Sequence, residues 1–442
     1  MTLQSAPMTS SIRPETDTPP LLFRLYRLLA SVGEPLAQRL LLKRLARGKE
    51  DRERLGERRG EASAARPRGF LLHVHAASVG ETNSVLPLLD TVHDAYPDLQ
   101  VLLTTGTVTS ARLVQGKLPA QTFHQFAPLD IPSYVDRFAA HWRPDLSLFV
   151  ESELWPNMLM ALKRQGTATG LINARMSQRS SARWRLTGAA SRWLLNSFDL
   201  ILAQDETDAV RLRMLGAAHA VNAGNLKYDV PAPVADEAKL ADLRASLAGR
   251  PLFLAASTHS GEEVTIADAH RRATETVPDL LTIIVPRHAE RGSEIAEKLR
   301  ARGFAVAQRS RGEALDEADL YVADTMGELG LFFRIVPVTF MGGSLVPHGG
   351  QNPIEPIKLD SAVLHGPHVH NFSAMYARLD EYEGARLVRG SHELAEAIAV
   401  MMGDRSRASE MANRGQLALL DEAGALTRTL EALRPFLDRQ AA

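Results

Sequence analysis

A glutamate that could act as a general base follows the first apolar run after residue 70. The segment His75–Thr82 reads HAASVGET, so a strand would end here, Ser78 and Gly80 would form a turn, and Glu81 would open a helix. A carboxylate in the first turn of a helix is stabilised as an anion, which predicts that Glu81 is ionised at neutral pH and can accept a proton. The alternative is that Glu81 only caps the helix, as acids in first turns commonly do.

Two further polar groups follow later apolar runs of the same half. The segment VESELWPN places Glu151 and Glu153 before Pro156 at a predicted helix start. The two acids could form an acid/base set, or one could cap the helix while the other is solvated. The segment NARMSQRSSARWR holds several guanidinium groups, which suit phosphate or carboxylate, although a solvated helix face is the alternative. Its arginines are Arg175, Arg179, Arg183 and Arg185.

The C-terminal half contains several segments typical of nucleotide binding. The sequence PRH places a cation and an imidazole directly after the apolar run LLTIIV. The sequences DTMGEL, FMGGS and HGGQNPIEP place glycines and polar residues after other predicted strands, where free amide groups can receive a phosphate. Each glycine alone could be purely structural, but together they predict a nucleotide site. The residues are Pro286, Arg287, His288, Gly327, Glu328, Gly342, Gly343, Ser344, Asn352 and Glu355.

Composition excludes several other kinds of site. The 442 residues contain no cysteine, which rules out disulfides, thiolate nucleophiles and cysteine-based metal centres. Lys and Arg number 51 against 52 Asp and Glu, so no overall positive field favours nucleic acid. The motifs of dinucleotide-binding proteins, P-loop enzymes and α/β-hydrolases are absent, as is a D-x-D pair for a divalent ion. The sequence therefore predicts no metal site and no nucleic-acid partner.

Short apolar runs alternate with helical patterns from Phe70 onward, which indicates βα units and parallel sheets. The pattern restarts after Gly224–Leu247, a stretch with two prolines and few apolar residues, so we place the hinge at 225–247. Two doubly wound α/β domains are predicted, at 69–224 and 248–425, with a C-terminal helix or tail at 426–442. The predicted strands are Phe70–Ala76, Val101–Thr104, Leu146–Val150, Thr169–Ile172, Leu200–Ala203, Leu252–Ala256, Leu281–Val285, Ala305–Ala307, Leu320–Ala323, Val338–Met341 and Ala362–Leu364.

The first 70 residues carry a local net positive charge, with 14 Lys and Arg against 8 Asp and Glu. Residues 1–20, rich in Ser, Thr and Pro, are predicted to be a disordered leader. Residues 21–68 are predicted to form basic amphipathic helices hinged at Pro35, and charges interrupt the leucine-rich run too often for a spanning helix. Two interpretations remain open. The segment could lie on an anionic membrane surface, or pack on its own domain with a solvated basic face.

A set of ordered blocks resembles the 3-deoxy-D-manno-octulosonic acid (Kdo) transferases. The resemblance runs from about Leu21 to about Leu420. The family is similar in fold to the GT-B glycosyltransferases, which have two Rossmann-like domains with parallel sheets facing a central cleft. It implies that the N-terminal domain binds the acceptor and the C-terminal domain binds the nucleotide sugar. The blocks are HAASVGET, FVESELWPN, NARMS, GNLKYD, PRHAERG, DTMGELGLFF, FMGGSLVPHGGQNPIEP and HGPHVHNF.

The resemblance implies an inverting transfer of Kdo from CMP-Kdo to the lipid A precursor (lipid IVA) in lipopolysaccharide biosynthesis. This transfer needs no metal or cofactor and takes place at the cytoplasmic face of a Gram-negative inner membrane. Because the N-terminal segment is more polar than is usual in the family, we expect adsorption to the anionic inner-membrane surface rather than insertion. The alternatives are a different GT-B enzyme, such as a UDP-sugar transferase or epimerase, and a non-enzymatic two-lobed anion-binding protein.

The resemblance also implies roles for individual residues. Three glutamates are assigned to catalysis. Glu81 would be the base, and Glu151 and Glu153 would support the acceptor or Kdo. Acceptor binding is assigned to Ser78, Gly80, Arg175 and Arg179. Donor binding is assigned to Pro286, Arg287, His288, Gly327, Glu328, Leu329, Gly343, Ser344, Asn352, Pro353, Ile354 and Glu355.

Overall fold

The computed structural model describes residues 18–116, 118–247 and 249–441. The chain forms two compact units. The N-terminal unit runs to Val230 and also includes the chain from Ala423 onward, and the C-terminal unit is Pro231–Glu422. Of the leader predicted at residues 1–20, all but the last three residues lie outside the described residues.

The N-terminal unit is built on a seven-stranded parallel sheet with the order β3-β2-β1-β4-β5-β6-β7. Its central strands are buried on both faces, which explains why they read as continuous apolar runs. The strands are β1 Leu71–Ala76, β2 Gln100–Thr105, β3 Thr122–Phe126, β4 Leu146–Val150, β5 Ala168–Ala174, β6 Leu200–Ala203 and β7 Ala220–Asn222. The helices are α1 Leu21–Val32, α2 Glu34–Ala46, α3 Val79–Ala95, α4 Val108–Val114, α5 Pro132–Trp142, α6 Pro156–Arg164, α7 Gln178–Arg185, α8 Ala189–Leu195 and α9 Glu206–Met214.

The C-terminal unit repeats this architecture with the strand order β10-β11-β9-β8-β12-β13-β14, again all parallel. The strands are β8 Leu252–Thr258, β9 Leu281–Pro286, β10 Val306–Gln308, β11 Leu320–Val322, β12 Val338–Met341, β13 Ala362–His365 and β14 Ala385–Leu387. The helices are α10 Glu237–Ser246, α11 Glu262–Ala273, α12 Gly292–Arg300, α13 Leu329–Phe333, α14 Ile354–Ile357, α15 Ser373–Glu381, α16 Ser391–Gly403 and α17 Arg405–Glu422.

The last helix returns to the N-terminal unit. Helix α18 (Ala425–Leu437) buries Leu433 and Leu437 in the same apolar cluster as Leu72 of β1 and Val85 of α3. The chain passes from one unit to the other at Val230, inside the segment proposed as a hinge, and α10 occupies part of that segment. The C-terminal helix is therefore a structural part of the N-terminal unit.

All eleven predicted strands are present, with ends that differ from the prediction by no more than two residues. The three strands that the sequence did not predict, β3, β7 and β14, all lie at sheet edges. They are short or carry polar residues such as His124 and Arg386. An edge strand has one neighbour and need not be wholly apolar, so its sequence signal is weak.

The N-terminal helices differ in detail from the prediction. The break between α1 and α2 falls at Gly33, and Pro35 lies in the first turn of α2, where its fixed φ is tolerated. Helical structure was predicted to continue to residue 68, but α2 ends at Ala46. The part up to residue 68 contains only a 3-10 turn, Glu57–Arg59. Among the described residues, no helix is both long and apolar enough to cross a membrane.

Candidate active site

In the N-terminal sheet, the predicted acidic residues lie where the strand order reverses. The reversal in the N-terminal sheet lies between β1 and β4, and in the C-terminal sheet between β8 and β12. Loops that leave neighbouring strands at such a point diverge to opposite faces of the sheet and open a crevice for ligands. Glu81 follows β1, and Glu151 and Glu153 follow β4, so the three predicted acids flank the crevice of the N-terminal unit.

Glu81 closes the start of α3 with a capping box. Ser78 is the N-cap residue, and its Oγ accepts a hydrogen bond from the Glu81 backbone N at 3.3 Å and donates to Glu81 Oε1 at 2.8 Å. The backbone N of Ala77 donates to Glu81 Oε2 at 2.8 Å. The reciprocal pairing fixes the carboxylate at the turn. Glu81 therefore caps helix α3.

The pKa of the Glu81 carboxyl is raised to about 7. Burial is the largest cause, the negative charge of Glu153 comes next, and the hydrogen bonds from Ser78 and Ala77 only partly oppose them. The expectation that the helix start keeps Glu81 fully ionised at neutral pH is therefore wrong, because desolvation and neighbouring acids outweigh the helix start. A carboxylate that titrates near neutral pH combines an ionised fraction with substantial basicity, as a general base requires.

Glu153 is held as an anion next to Glu81. Trp155 donates its indole N–H to Glu153 Oε2, and His75 Nε2 lies 3.4 Å from the same oxygen. Burial acts to raise the pKa of Glu153, but the interactions with His75 and Trp155 outweigh it and bring the pKa below its ordinary value. Two carboxyls a few residues from their strand ends thus differ in proton affinity, which is typical of an acid/base site.

Glu151 is paired with a lysine that the sequence analysis did not select. Lys227 Nζ lies 2.6 Å from Glu151 Oε1, and both side chains are mostly buried. Lys227 belongs to a 3-10 turn, Leu226–Tyr228, whose first amide donates to Asn173 Oδ1 at 3.1 Å. Glu151 and Asn173 both have positive φ, at 59° and 49°. Such backbone strain in non-glycine residues concentrates at functional sites.

The predicted acceptor residues lie along the same edge of the N-terminal sheet. Ser78 and Gly80 lie at the start of α3, and Arg175 follows β5 with its backbone N bonded to Glu151 O at 3.2 Å. Arg179 projects from α7 and is exposed, together with the other two arginines of that helix. The structure therefore places the Arg175 backbone beside that of Glu151, and Arg179 lies on an exposed helix surface.

In the C-terminal unit, the glycine loop after β12 binds a carboxylate of the protein itself. Glu262, at the start of α11, is 1% exposed and accepts backbone N–H bonds from His259, Gly343, Ser344 and Leu345 at 2.7–3.0 Å. The Ser344 hydroxyl is also occupied, because it donates to Met341 O and accepts from Gly366 N. Gly343 and Ser344 thus shape this loop. Their backbone N–H groups and the Ser344 hydroxyl, which were expected to face the nucleotide, instead form hydrogen bonds within the protein.

Cations and imidazoles surround this loop. Arg287 and His288 follow β9 and are exposed, and His259 follows β8 with its ring stacked on that of His348 at 3.7 Å between centroids. Burial and the neighbouring His348, His288 and Arg287 lower the pKa of His259 to about 4, so His259 is neutral at pH 7. The arginine charge therefore provides most of the positive potential here. The motif STHSG after β8 was the sequence signal for His259, and it was missed.

Glu328 is not a free acid. Its carboxylate binds Arg309 Nε at 2.5 Å and Lys239 Nζ at 2.9 Å, and it accepts a bond from Thr325. The bonds from Arg309 are the main cause that lowers its pKa to about 2. Gly327 precedes it with φ of 80°, and Leu329 opens α13. Glu328 therefore orders two basic side chains beside the turn.

The segment Asn352–Glu355 forms a compact turn at the start of α14. Asn352 Oδ1 accepts from Ile354 N at 3.1 Å, and Asn352 Nδ2 lies 3.4 Å from Glu355 Oε1. Burial raises the pKa of Glu355 above its ordinary value. Pro353 is the residue immediately before the helix. Within the described part of the chain, no group of three or more His, Asp or Glu side chains is arranged to hold a metal ion.

Comparison with known proteins identifies the family. The family model described as 3-Deoxy-D-manno-octulosonic-acid transferase (kdotransferase) matches residues 50–230. A probable mitochondrial 3-deoxy-D-manno-octulosonic acid transferase of Arabidopsis thaliana is 37% identical over 394 residues, which cover 86% of this chain and 88% of that protein. The chain belongs to the Kdo transferase family. The 3-deoxy-D-manno-octulosonic acid transferase of Haemophilus influenzae is 35% identical over 88% of this chain and 92% of its own.

Solved structures confirm the fold class. A glycosyltransferase from Rickettsia africae matches 84% of this chain and 99% of its own with a TM-score of 0.56 at 10% identity. The UDP-GlcNAc 2-epimerase of Neisseria meningitidis matches 82% of this chain and 99% of its own with a TM-score of 0.58 at 12% identity. These likenesses show the GT-B fold alone. With the family match, they make the chain a glycosyltransferase that transfers Kdo, and the non-enzymatic alternative is excluded.

The raised pKa of Glu81 predicts a pH-dependent cost in stability. Because the folded-state pKa of about 7 exceeds the ordinary 4.5, the folded protein binds this proton more tightly, and its stability falls as pH rises between these values. Glu81→Gln keeps the shape and removes the charge. We expect this variant to gain stability over wild type on the order of 1–3 kcal/mol at pH 8, and much less at pH 5.

Thermal unfolding at pH 5 and pH 8 measures this difference. Glu431→Gln, which replaces an exposed glutamate of α18 in the same unit, is the matched control and should show no such trend. A Glu81→Gln variant that is equally or less stable than wild type at pH 8 would show that the Glu81 carboxyl is not raised in pKa.

Proposed function

We propose that the enzyme transfers Kdo from CMP-Kdo to a hydroxyl group of the lipid A precursor lipid IVA, with inversion at the anomeric carbon and without a metal ion. The observation that carries the proposal is Glu81, a fixed carboxylate with a pKa of about 7 at the crevice of the N-terminal sheet. The acceptor binds to the N-terminal unit, and the donor binds to the C-terminal unit.

Glu81 acts as the general base. Its carboxylate takes the proton of the acceptor hydroxyl as the hydroxyl oxygen forms a bond to the anomeric carbon of Kdo. The bond from that carbon to the phosphate oxygen of CMP breaks, and CMP leaves with the electron pair. Since Glu153 remains an anion next to Glu81, it raises the proton affinity of the base without competing for the proton.

The donor phosphate binds beside the strand ends of the C-terminal sheet. Arg287 and His288 follow β9, and Arg291 lies one turn further on, where it is paired with Glu263 at 2.8 Å. Guanidinium groups neutralise phosphate and carboxylate, so these side chains can stabilise the leaving CMP in place of a divalent cation. Pro286, the turn Gly327–Leu329 and the segment Asn352–Glu355 complete the proposed CMP site, with the Gly343 and Ser344 loop as its wall.

The acceptor is held by cations of the N-terminal unit. Arg175 and the Lys227–Glu151 pair lie at the strand ends next to Glu81, and Arg179 extends the positive surface along α7. Glu151 fixes the position of the Lys227 ammonium, which can then orient an anionic group of the acceptor or of Kdo. Ser78 and Gly80 shape the turn that presents Glu81.

Helix α1 combines both interpretations of the N-terminal segment. One face packs on the N-terminal unit, since Phe23 is buried against Trp193, Tyr26 Oη donates to Asp130 at 3.0 Å, and Arg27 pairs with Asp136. The other face leaves most of its apolar residues exposed by half or more, whereas a packed amphipathic helix buries its apolar stripe. This surface, which we call the leucine face, consists of Leu21, Leu22, Leu25, Leu28, Leu29 and Val32.

The leucine face suits a lipid surface. Three exposed basic residues lie nearby in the chain: Arg24 in α1, Lys43 in α2 and Arg47 directly after α2. Apolar contact and attraction to anionic headgroups can therefore act together. We infer that the protein adsorbs as a peripheral protein to the cytoplasmic face of the inner membrane, where a lipid acceptor would be available. Arg27 and Arg44 contribute less, because Asp136 and Glu50 neutralise them.

Glu81→Gln tests the base directly. The assay incubates the enzyme with CMP-Kdo, generated in situ, and tetra-acylated lipid A precursor, and measures the product by mass spectrometry. Loss of the base should lower turnover by about 10²–10⁴ while leaving CMP affinity unchanged. Near-normal turnover in this variant would remove Glu81 from the role of base, and absence of any product in wild type would refute the proposed substrates.

Arg287→Ala tests the donor site. The loss of one charge-assisted bond should weaken CMP binding by about 1.5–3 kcal/mol, as measured by calorimetry. Arg405→Ala, an exposed arginine of α17 in the same unit, is the control and should bind CMP as wild type does. Wild type should also prefer CMP to UDP. Equal CMP affinity in the Arg287 variant would place the phosphate elsewhere.

The leucine face can be tested by flotation with anionic liposomes. Changing Leu21, Leu25, Leu28 and Leu29 to serine removes exposed apolar area without touching Phe23, so the helix should stay folded on its unit while the protein no longer floats. Leu417 and Leu420, two exposed leucines of α17, provide a control pair when changed to serine. Salt should weaken flotation of wild type only partly. Equal flotation of the four-fold variant and wild type would contradict membrane adsorption through α1.

A further inference from the structure

Four buried polar side chains form a continuous chain across the N-terminal sheet behind Glu153. Ser147 Oγ of β4 lies 2.7 Å from His73 Nδ1 of β1, and His73 Nε2 lies 2.9 Å from Thr104 Oγ1 of β2. Thr104 Oγ1 is also 3.0 Å from His75 Nδ1. All four side chains are at most 3% exposed. The chain ends at His75 Nε2, a buried atom that lies 3.4 Å from Glu153 Oε2 and makes no other hydrogen bond among the described residues.

The inventory of donors and acceptors allows two directions for these bonds. Thr104 has one hydroxyl proton and two imidazole neighbours, so it donates to one ring and accepts from the other. Burial lowers the pKa of His73 to about 3, so His73 is neutral and carries one N–H. If His73 donates from Nε2, Thr104 donates to His75 Nδ1, and the proton of neutral His75 resides on Nε2. If the order is reversed, the proton of neutral His75 resides on Nδ1, and Nε2 turns a lone pair toward Glu153.

The contact with Glu153 favours the first arrangement. In it, Ser147 donates to His73, His73 donates to Thr104, Thr104 donates to His75 Nδ1, and His75 Nε2 presents an N–H to the carboxylate. The opposite tautomer would place a nitrogen lone pair against an anion. Ser147, His73 and Thr104 therefore stabilise the tautomer of His75 that faces an ionised Glu153, although none of the three lies next to Glu153 in the chain.

We propose that His75 is a positioning residue of the transfer reaction, held in one tautomer by Thr104, His73 and Ser147 so that Glu153 stays ionised beside Glu81. The proposal rests on the proposed function, because it assumes that Glu81 is the base. His75 touches neither substrate in this proposal and moves no proton. It acts through Glu153, whose fixed negative charge strengthens Glu81 as a base.

The charged groups around Glu153 define what should happen without His75. Glu81 and Glu151 are acids near Glu153, Glu151 is neutralised by Lys227, and His73 is neutral. Among the described ion-pair contacts, the only partner of Glu153 is His75. Loss of the N–H donor therefore lets Glu153 take a proton at higher pH. Glu81 then loses its negative neighbour, and its proton affinity falls.

The test is the pH profile of kcat/KM for Kdo transfer in wild type, His75→Leu and His75→Gln. Activity in wild type should rise with pH as Glu81 ionises. In His75→Leu, this ascending limb should move to lower pH by roughly one unit, the effect expected when a nearby charge is lost, and the plateau should fall because the base is weaker. His75→Gln keeps an N–H donor and should restore the wild-type position of the limb.

The outcomes separate this inference from the proposed function. If His75→Leu lowers activity equally at every pH, or if the Leu and Gln variants have the same profile, His75 is only structural and the inference is wrong. If Glu81→Gln remains fully active in the same assay, the proposed base is wrong, whatever His75 does. Should His75→Leu not fold, Thr104→Val keeps the side-chain shape and removes the link to His73. The limb should then move in the same direction by a smaller amount, and an unmoved limb would overturn the inference.

Discussion

The proton affinity of Glu81 depends on how β1 and β4 end side by side in the N-terminal sheet. Their adjacency at the reversal of strand order brings the start of α3 close to the acids that follow β4, and the sheet beneath excludes water from all of them. A carboxylate in this position loses hydration and meets a second negative charge. Its pKa rises to about 7, although the helix start alone would lower it. The proposed role of Glu81 as a base, the stability cost of the site and the proposed role of Glu153 all depend on this adjacency.

The two units share one architecture but carry different side chains at the reversal of strand order. At the reversal in the N-terminal sheet, acids flank the crevice, whereas at the reversal in the C-terminal sheet, arginines and histidines surround a loop that Glu262 holds in place. Because the carboxylate of Glu262 satisfies the amides of this loop, the loop has a fixed shape without a ligand. In the proposed donor site, side chains such as Arg287 therefore bind the anionic ligand, and the backbone provides the frame.

The sequence predicted most of the fold, since strands buried on both faces appear as apolar runs whose limits can be read directly. It did not reveal the edge strands β3, β7 and β14, which are short or partly polar, nor the return of α18 to the N-terminal unit. The positions of Glu81, Glu151 and Glu153 after their strands were predicted, and the family resemblance is confirmed. The pKa of Glu81 was not predictable, because it depends on Glu153 and on burial, which only the folded chain shows. The sequence analysis did not select Lys227, because Lys227 follows no predicted strand. It did not select His259, because His259 resembles an ordinary turn residue.

The most direct measurement of the central claim is the titration of the Glu81 carboxyl itself. Infrared difference spectra between wild type and Glu81→Gln, recorded from pH 4 to pH 9, isolate the absorption of this one carboxyl group as it loses its proton. The structure predicts a midpoint at about pH 7. A midpoint near the ordinary glutamate value of 4.5 would contradict the account, since Glu81 would then be a weak base that neither burial nor Glu153 perturbs.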